Sequence, residues 1–278
     1  DPATLPTWLM ARQTRPHVTV VLTGEGADEL FQGYSWYGWP APLPIPGFLA
    51  QPLRRLVQRW WSGRRGRHRL LALLAPDFST LYAESVLSSV SQAEDRLAWY
   101  RPDWRGYLTA MAPRADLEDL LAESAVPFSS RMQELDLKVW LEGDPLTKAD
   151  RATMLASLEA RVPFLDREVV EWVARIPPRW HRKGNLGKWL LRRTFADLLP
   201  SEIVRRPKHA FETPVGAWLR GPLRPYLEKA LADTSPLWRV LRPQPFKEMA
   251  RQHMSDRRDF SRELWAFLHL AFWWELYG

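Results

Sequence analysis

The sequence contains no cysteine, so disulfides, zinc–thiolate centres and thiol catalysis within these residues are excluded. No apolar run reaches the length of a membrane span, and no signal-peptide pattern opens the chain. The expectation is therefore a cytoplasmic protein with no membrane partner. No internal repeat is found between Leu53 and about Leu121. Lysine is scarce: only seven of the 39 basic residues are lysine, at positions 138, 148, 183, 188, 208, 229 and 247.

What is present is arginine, tryptophan and a length of 278 residues, enough to bury a substantial core in one large domain or two. The formal charge of +7 and a pI near 9.8 raise the question of nucleic acid. The densest basic run, SGRRGRHR at 62–69, lies beside Trp60 and Trp61 and could track a phosphate backbone. No zinc-finger spacing or RNA-binding aromatic motif accompanies it, so a solvated loop is the favoured reading and nucleic acid is not an expected partner. The sixteen tryptophans are scattered at positions that suit helix packing.

The stretch VVLTGEGADELFQGY at 20–34 carries the most chemistry. Val20, Val21 and Leu22 read as the end of a strand covered on both faces, as in parallel sheets. Gly24 and Gly26 permit a tight turn with positive φ, or a close backbone approach to something else. Ala27 to Phe31 reads as a helix start. If the turn runs into it, Glu25, Asp28 and Glu29 share one face, where a cation would offset their repulsion. Acids capping a helix would look the same. The strand–glycine–helix order adds that ligands of open α/β sheets collect beyond the carboxyl ends of strands.

Along the rest of the chain, TWLMARQTR is a helical candidate and four prolines make WYGWPAPLPIPGF a loop. Helices separated by Gly, Pro and Ser clusters follow from Leu53 to about Leu121. MQELDLKVWLEG reads as an amphipathic helix ending at Gly143, with a break at Asp144-Pro145. Thr147 and Asp150 resemble a capping box for a helix over roughly 148–159. EARVPFLD is extended, Asp166 caps REVVEWVARI, and Pro177-Pro178 stops that helix. GKWLLRRTFADLL is a further amphipathic helix closed by Pro200, and Lys208 falls in a proline-bounded loop. With one clear strand, the body is mainly helical.

Three of these segments, spread in order over about two hundred residues, resemble the synthetase domain of glutamine-hydrolysing asparagine synthetases. TGEGADELFQGY is similar to that family's acidic signature, with Gln32 in place of a glycine. KADRATMLASLEARVPFLD at 148–166 is similar to its second signature. RRPKHAF, with Pro214 and Trp218, is similar to a third. The resemblance implies an α/β fold: part of an adenine-nucleotide α-hydrolase-like (Rossmann-like) parallel sheet, mainly helical here. Residues 1–278 would form the C-terminal part of one ATP-dependent synthetase domain, with 35–130 a variable helical and loop region. It implies ATP and Mg²⁺ as cofactors and synthesis of asparagine through β-aspartyl-AMP. Thr23 and Gly24, with Gly26, would line the nucleotide, and Asp28 would hold Mg²⁺ on pyrophosphate. Glu25 would lie by the acyl intermediate, and Lys208 would stabilise the α-phosphoryl charge. Asp144 and Lys148 would sit near the substrate end. Arg161 would form a buried ion pair with Glu159 or Asp166 that shapes the site.

The chain departs from the family in two respects. The pyrophosphate loop Ser-Gly-Gly-x-Asp-Ser and the glutaminase domain with its leading cysteine are absent. The expectation is a fragment, inactive alone, exposing the apolar edge from Val18 to Leu22. Implied partners are aspartate, ATP, the missing glutaminase domain of the same chain and a second copy in a homodimer. A β-lactam synthetase or lasso-peptide cyclase would share the scaffold, although Glu25 favours ammonia chemistry. A non-enzymatic basic helical module is the alternative of another class.

Overall fold

The computed structural model describes residues 1–278 apart from 61–66, 84–85, 87–92, 111–116, 118–119, 121–126, 210 and 212. Residues 62–66 of the basic run therefore lie outside the described residues. The chain divides into two units, the first holding Asp1, residues 3–82 and 116–211, the second Pro2, residues 83–115 and 212–278. It is a mostly helical α/β protein with a small parallel sheet.

In the first unit, helix α1 (Thr4–Thr14) leads into strand β1 (Val20–Leu22). The sequence suggested a single clear strand, but β1 pairs in parallel with a second, β2 (Glu159–Arg161), in the register Val20–Glu159, Val21–Ala160 and Leu22–Arg161. β2 is short and polar, which hides it from a search for apolar runs. Nor is β1 covered on both faces: Val20 and Val21 are half-buried, and Leu22 is 72 % exposed. Double cover needs helical layers above and below the sheet. Among the described residues β1 pairs with β2 alone, and its last side chain faces outward.

Helix α2 (Ala27–Leu30) follows the glycine turn. Ser35–Gly38 forms a 3₁₀ turn, and the proline-rich stretch after it is irregular, as its composition predicts. Helices at Gly47–Trp60, Arg67–Leu73 and Phe78–Tyr82 complete this part of the unit.

The largest departure from sequence reasoning comes next. Helix α3 (Phe128–Leu135) does not end at Gly143. It continues through two π-helical turns, Asp136–Trp140 and Glu142–Leu146, into α4 (Thr147–Met154). Leu135, Leu141 and Leu146 all keep right-handed helical backbone angles. Proline breaks an α-helix by removing an N–H and crowding the carbonyl four residues back. The wider π turn changes that pairing and carries Pro145 within the helical path. Thr147 is consequently the first residue of α4 and caps nothing: its hydroxyl donates back to the Glu142 carbonyl at 2.7 Å.

α4 packs on α1 and on β2. Helix α5 (Arg167–Ala174) starts as its sequence predicts: the Asp166 carboxylate accepts from the Glu168 N–H at 2.9 Å. Helix α6 (Trp189–Thr194) is shorter than its apolar pattern suggests. Leu30, Phe31 and Val173 form a small core, joined by Leu137, Phe164, Leu165, Val169, Val170, Leu190 and Leu191. This core supports the underside of the glycine turn.

The second unit contains helices Ala93–Trp99 and Pro102–Ala110, then α7 (Val215–Arg220), α8 (Arg224–Ala230), α9 (Pro243–Met254) and α10 (Ser261–Tyr277). Leu219, Leu227, Leu237, Leu264 and Leu268 are buried between them. The stacked rings of Phe246 and Phe267, 4.6 Å apart, lie in the same core. An antiparallel bridge between Tyr100 and Leu241 ties the early helices to this core.

Candidate functional site

The glycine turn shows why one of the two glycines in TGEGADE is required by the fold. Gly26 has φ +85°, a left-handed conformation, and a Cβ there would come within 2.3 Å of Leu165. Gly24 has nothing within 4 Å of such a Cβ, so no neighbour in the fold demands a glycine there. The left-handed Gly26 also separates Glu25 from the helical register. The three acids therefore do not share one face.

Each acid has its own environment. Glu25 is half-buried on the turn. Glu29 is buried, 1 % exposed, and accepts from the Tyr34 hydroxyl at 2.7 Å. Burial raises its carboxyl above the ordinary value, although the Tyr34 bond opposes this. Asp28 faces two cations: Lys188 Nζ is 2.9 Å from Oδ1 and Lys208 Nζ 2.7 Å from Oδ2. Burial works to raise the Asp28 carboxyl, but the two lysines outweigh it and hold it below the usual carboxylate range.

Lys208 comes from an irregular loop and lies 180 residues from Asp28 in sequence. Its ammonium also stands over the Tyr34 ring, 5.2 Å from the centroid. Lys188 was missed by sequence reasoning, which absorbed it into an amphipathic helix. One signal was available: a lysine at a helix N-terminus meets the positive end of the macrodipole, so something else must hold it. Here Lys188 has φ +55° at the N-cap of α6, its N–H donates to the Phe31 carbonyl at 2.9 Å, and its ammonium reaches Asp28. Gly187 makes that approach feasible, because a Cβ would fall 2.3 Å from the Gln32 carbonyl oxygen.

Gln32, standing where the resembled signature has glycine, adopts φ +52°. That conformation costs a side-chain-bearing residue about 1–2 kcal/mol. Its amide donates to Gln133 at 3.1 Å, and the Gln133 amide donates to the carbonyls of Glu29 and Leu30. Arg182 holds the same bend through the carbonyls of Gln32 and Tyr34, at 3.2 and 2.8 Å.

Thr23 continues the parallel pairing, its N–H donating to the Arg161 carbonyl at 2.8 Å. Its hydroxyl oxygen is buried without a hydrogen-bond partner. Such groups are uncommon in folded proteins and call for an explanation, a ligand being one.

The remaining sequence candidates are arranged differently. Arg161 does pair with Glu159, at 2.7 Å, but the pair is not buried: their side chains are 64 % and 54 % exposed. On alternate positions of a short strand at the protein surface, both side chains project to solvent. Asp166 caps α5 instead of joining them. Lys148 pairs with Asp1 at 3.2 Å, and Asp144 lies half-buried in the second π turn. Neither meets the Asp28 cluster in the contacts just described. Among the described residues, no group of three or more His, Cys, Asp or Glu could hold a metal ion. None of the described helices is long and apolar enough to cross a membrane.

Behind the turn lies a buried carboxyl that sequence reasoning did not select. Asp136 is fully buried and accepts from Trp36 Nε1 at 2.8 Å and from the Tyr82 hydroxyl at 2.7 Å. Burial pushes it up to about 6 despite those bonds.

With this geometry in view, comparisons with known proteins become informative. The family model described as asparagine synthase matches residues 1–275. A Mycobacterium tuberculosis protein, provisionally named asparagine synthetase (glutamine-hydrolysing), is 36 % identical over 98 % of this chain and 42 % of its own length. Asparagine synthetase (glutamine-hydrolysing) 1 of Bacillus subtilis is 30 % identical over 98 % of this chain and 43 % of its own. The chain thus spans less than half the length of these curated relatives. The family model covers nearly the whole of the sequence: the chain belongs to the asparagine synthase family.

Proposed function

We propose that this chain supplies the carboxylate-activating part of an ATP-dependent, glutamine-hydrolysing asparagine synthetase. The observation that carries the reading is the convergence of Lys188 and Lys208 on Asp28 beside the strand-end turn. In the proposed reaction the side-chain carboxylate of aspartate attacks the α-phosphorus of ATP. Pyrophosphate leaves, and ammonia then displaces AMP from β-aspartyl-AMP.

Negative charge builds on the phosphoryl oxygens as this bond forms, so cations held in advance lower the barrier. Lys188 and Lys208 fit that need, because Asp28 keeps both ammonium groups near one point before any nucleotide arrives. A polyphosphate would then compete with Asp28 for them. The partnerless Thr23 hydroxyl is suited to a nucleotide oxygen, and the open space around Gly24 admits close approach of a ligand. Glu25 is assigned to the acyl group and the incoming ammonia. Asp144 and Lys148 are assigned to the substrate end.

One ionised carboxylate shared with phosphate oxygens suits magnesium, and Asp28 is the residue that would hold such an ion, which would screen phosphate charge. The parallel pairing of β1 with β2 and the strand–glycine–helix order support a Rossmann-like nucleotide sheet. The proposal carries with it a glutaminase domain on the same polypeptide, a cytoplasmic setting and a homodimer as the expected assembly.

The test uses the full-length protein and follows glutamine-dependent AMP release with aspartate against other carboxylic acids. Release only with aspartate supports the reading, and no response to aspartate overturns it. Lys188→Met and Lys208→Met are each expected to lower kcat by about 10²-fold, comparable to removing one charge-stabilising donor. Their melting temperatures should stay near that of the parent.

A further inference from the structure

Lys208 stands on irregular backbone, with its side chain 38 % exposed. Among the described residues, its ammonium meets the Asp28 carboxylate at 2.7 Å and the Tyr34 ring at 5.2 Å from the centroid. These contacts differ in kind. The Asp28 contact uses an N–H of the ammonium and is shared with Lys188, and a phosphate would compete for that same donor. The ring attracts the cation through its quadrupole and takes up no N–H. Tyr34 can therefore hold Lys208 both before and after the ammonium turns to an anionic ligand.

The ring is itself anchored. Its hydroxyl donates at 2.7 Å to the buried Glu29 carboxylate, and it stacks on Trp36 with centroids 4.2 Å apart and planes 16° apart. Trp36 is pinned in turn by its Nε1–H on Asp136 at 2.8 Å. Glu29 and Asp136 thus have a use, which is to fix an aromatic plane beside the Lys208 ammonium.

We propose that Tyr34 is a positioning residue for Lys208, its ring carrying the ammonium and its hydroxyl held by Glu29. The inference rests on the role given to Lys208 above, so one arm of the test does not depend on activity. In the full-length protein, Tyr34→Leu removes the ring and Tyr34→Phe keeps it. Fluorinated phenylalanines at position 34 keep the shape while weakening the ring's negative face. The first measurement is the rate of amine acylation at Lys208, read by mass spectrometry. It should rise several-fold in Tyr34→Leu, stay near the parent rate in Tyr34→Phe, and increase with fluorination. The fluorinated series decides this arm even where Tyr34→Leu fails to fold.

The second measurement is ATP-dependent pyrophosphate release with aspartate. Tyr34→Leu should lower kcat about tenfold with little change in the KM for ATP, and Tyr34→Phe should stay within about threefold. In a Lys208→Met background, Tyr34→Leu should add nothing. Equal acylation rates across the fluorinated series would overturn the proposal. So would an undiminished effect of Tyr34→Leu when Lys208 is already methionine. A parent protein that releases no pyrophosphate with aspartate would instead sink the assigned function, leaving the acylation arm to decide the role of Tyr34.

Discussion

Replacing Asp136 by asparagine gives a measurable test of the buried network. The carboxyl is fully buried, accepts from Trp36 and Tyr82, and is raised from 3.8 to about 6. At about 1.4 kcal/mol per pH unit, that displacement corresponds to roughly 3 kcal/mol. The sign follows from proton linkage. The folded protein binds this proton more tightly than the unfolded chain, so the favourable contribution is complete below about pH 4. It declines as pH rises from about 4 to 6 and is level above that. Asparagine cannot ionise, yet its carbonyl can accept from Trp36 and its amide can face the Tyr82 oxygen. Glu29, also raised, contributes a slope of the same sign to both proteins. Urea denaturation at pH 4.5, 5.5 and 7 should therefore show the stability difference moving toward the variant by about 2 kcal/mol across that range. Parallel curves, with a difference constant within about 0.5 kcal/mol, would refute the claim that Asp136 carries a buried charge at neutral pH.

Two further substitutions separate close packing from surface decoration. Gly187→Ala places a methyl group 2.3 Å from the Gln32 carbonyl oxygen and so displaces Lys188. Thermal unfolding should show a loss of about 1–3 kcal/mol, accompanied by reduced ATP-dependent turnover. Arg161→Ala breaks only an exposed ion pair, and denaturation should detect less than about 1 kcal/mol.

The parts of the site that could be read from sequence are those fixed by local chemistry. Gly26 takes the left-handed turn because a side chain would strike Leu165, and Asp166 caps its helix through its own neighbour's N–H. That Asp28 and Lys208 belong to one cluster was legible only through resemblance, because nothing local links residues so far apart. What stayed hidden depends on partners distant in sequence. Lys188 looks like one more position in a helix until Phe31 and Asp28 fold against it. Pro145 reads as a break, and only the π turns around it let the helix continue. Leu22 reads as buried from its apolar neighbours, but the covering layers are not encoded in that run. Gln32 departs from the glycine of the resembled signature, and its left-handed backbone is supported by Gln133 from a different helix.

The separation of 180 residues between Asp28 and Lys208 also has a consequence in time. At about 5–20 residues per second of synthesis, roughly ten to forty seconds pass between the emergence of the acid and that of its counter-ion. During that interval the acidic turn meets solvent and whatever cations the ribosome's surroundings supply, and β1 waits for its parallel partner. A nascent polypeptide arrested short of residue 208 would carry the carboxylate without this lysine. Assembly of the charge cluster is therefore a late event, coupled to how far translation has advanced.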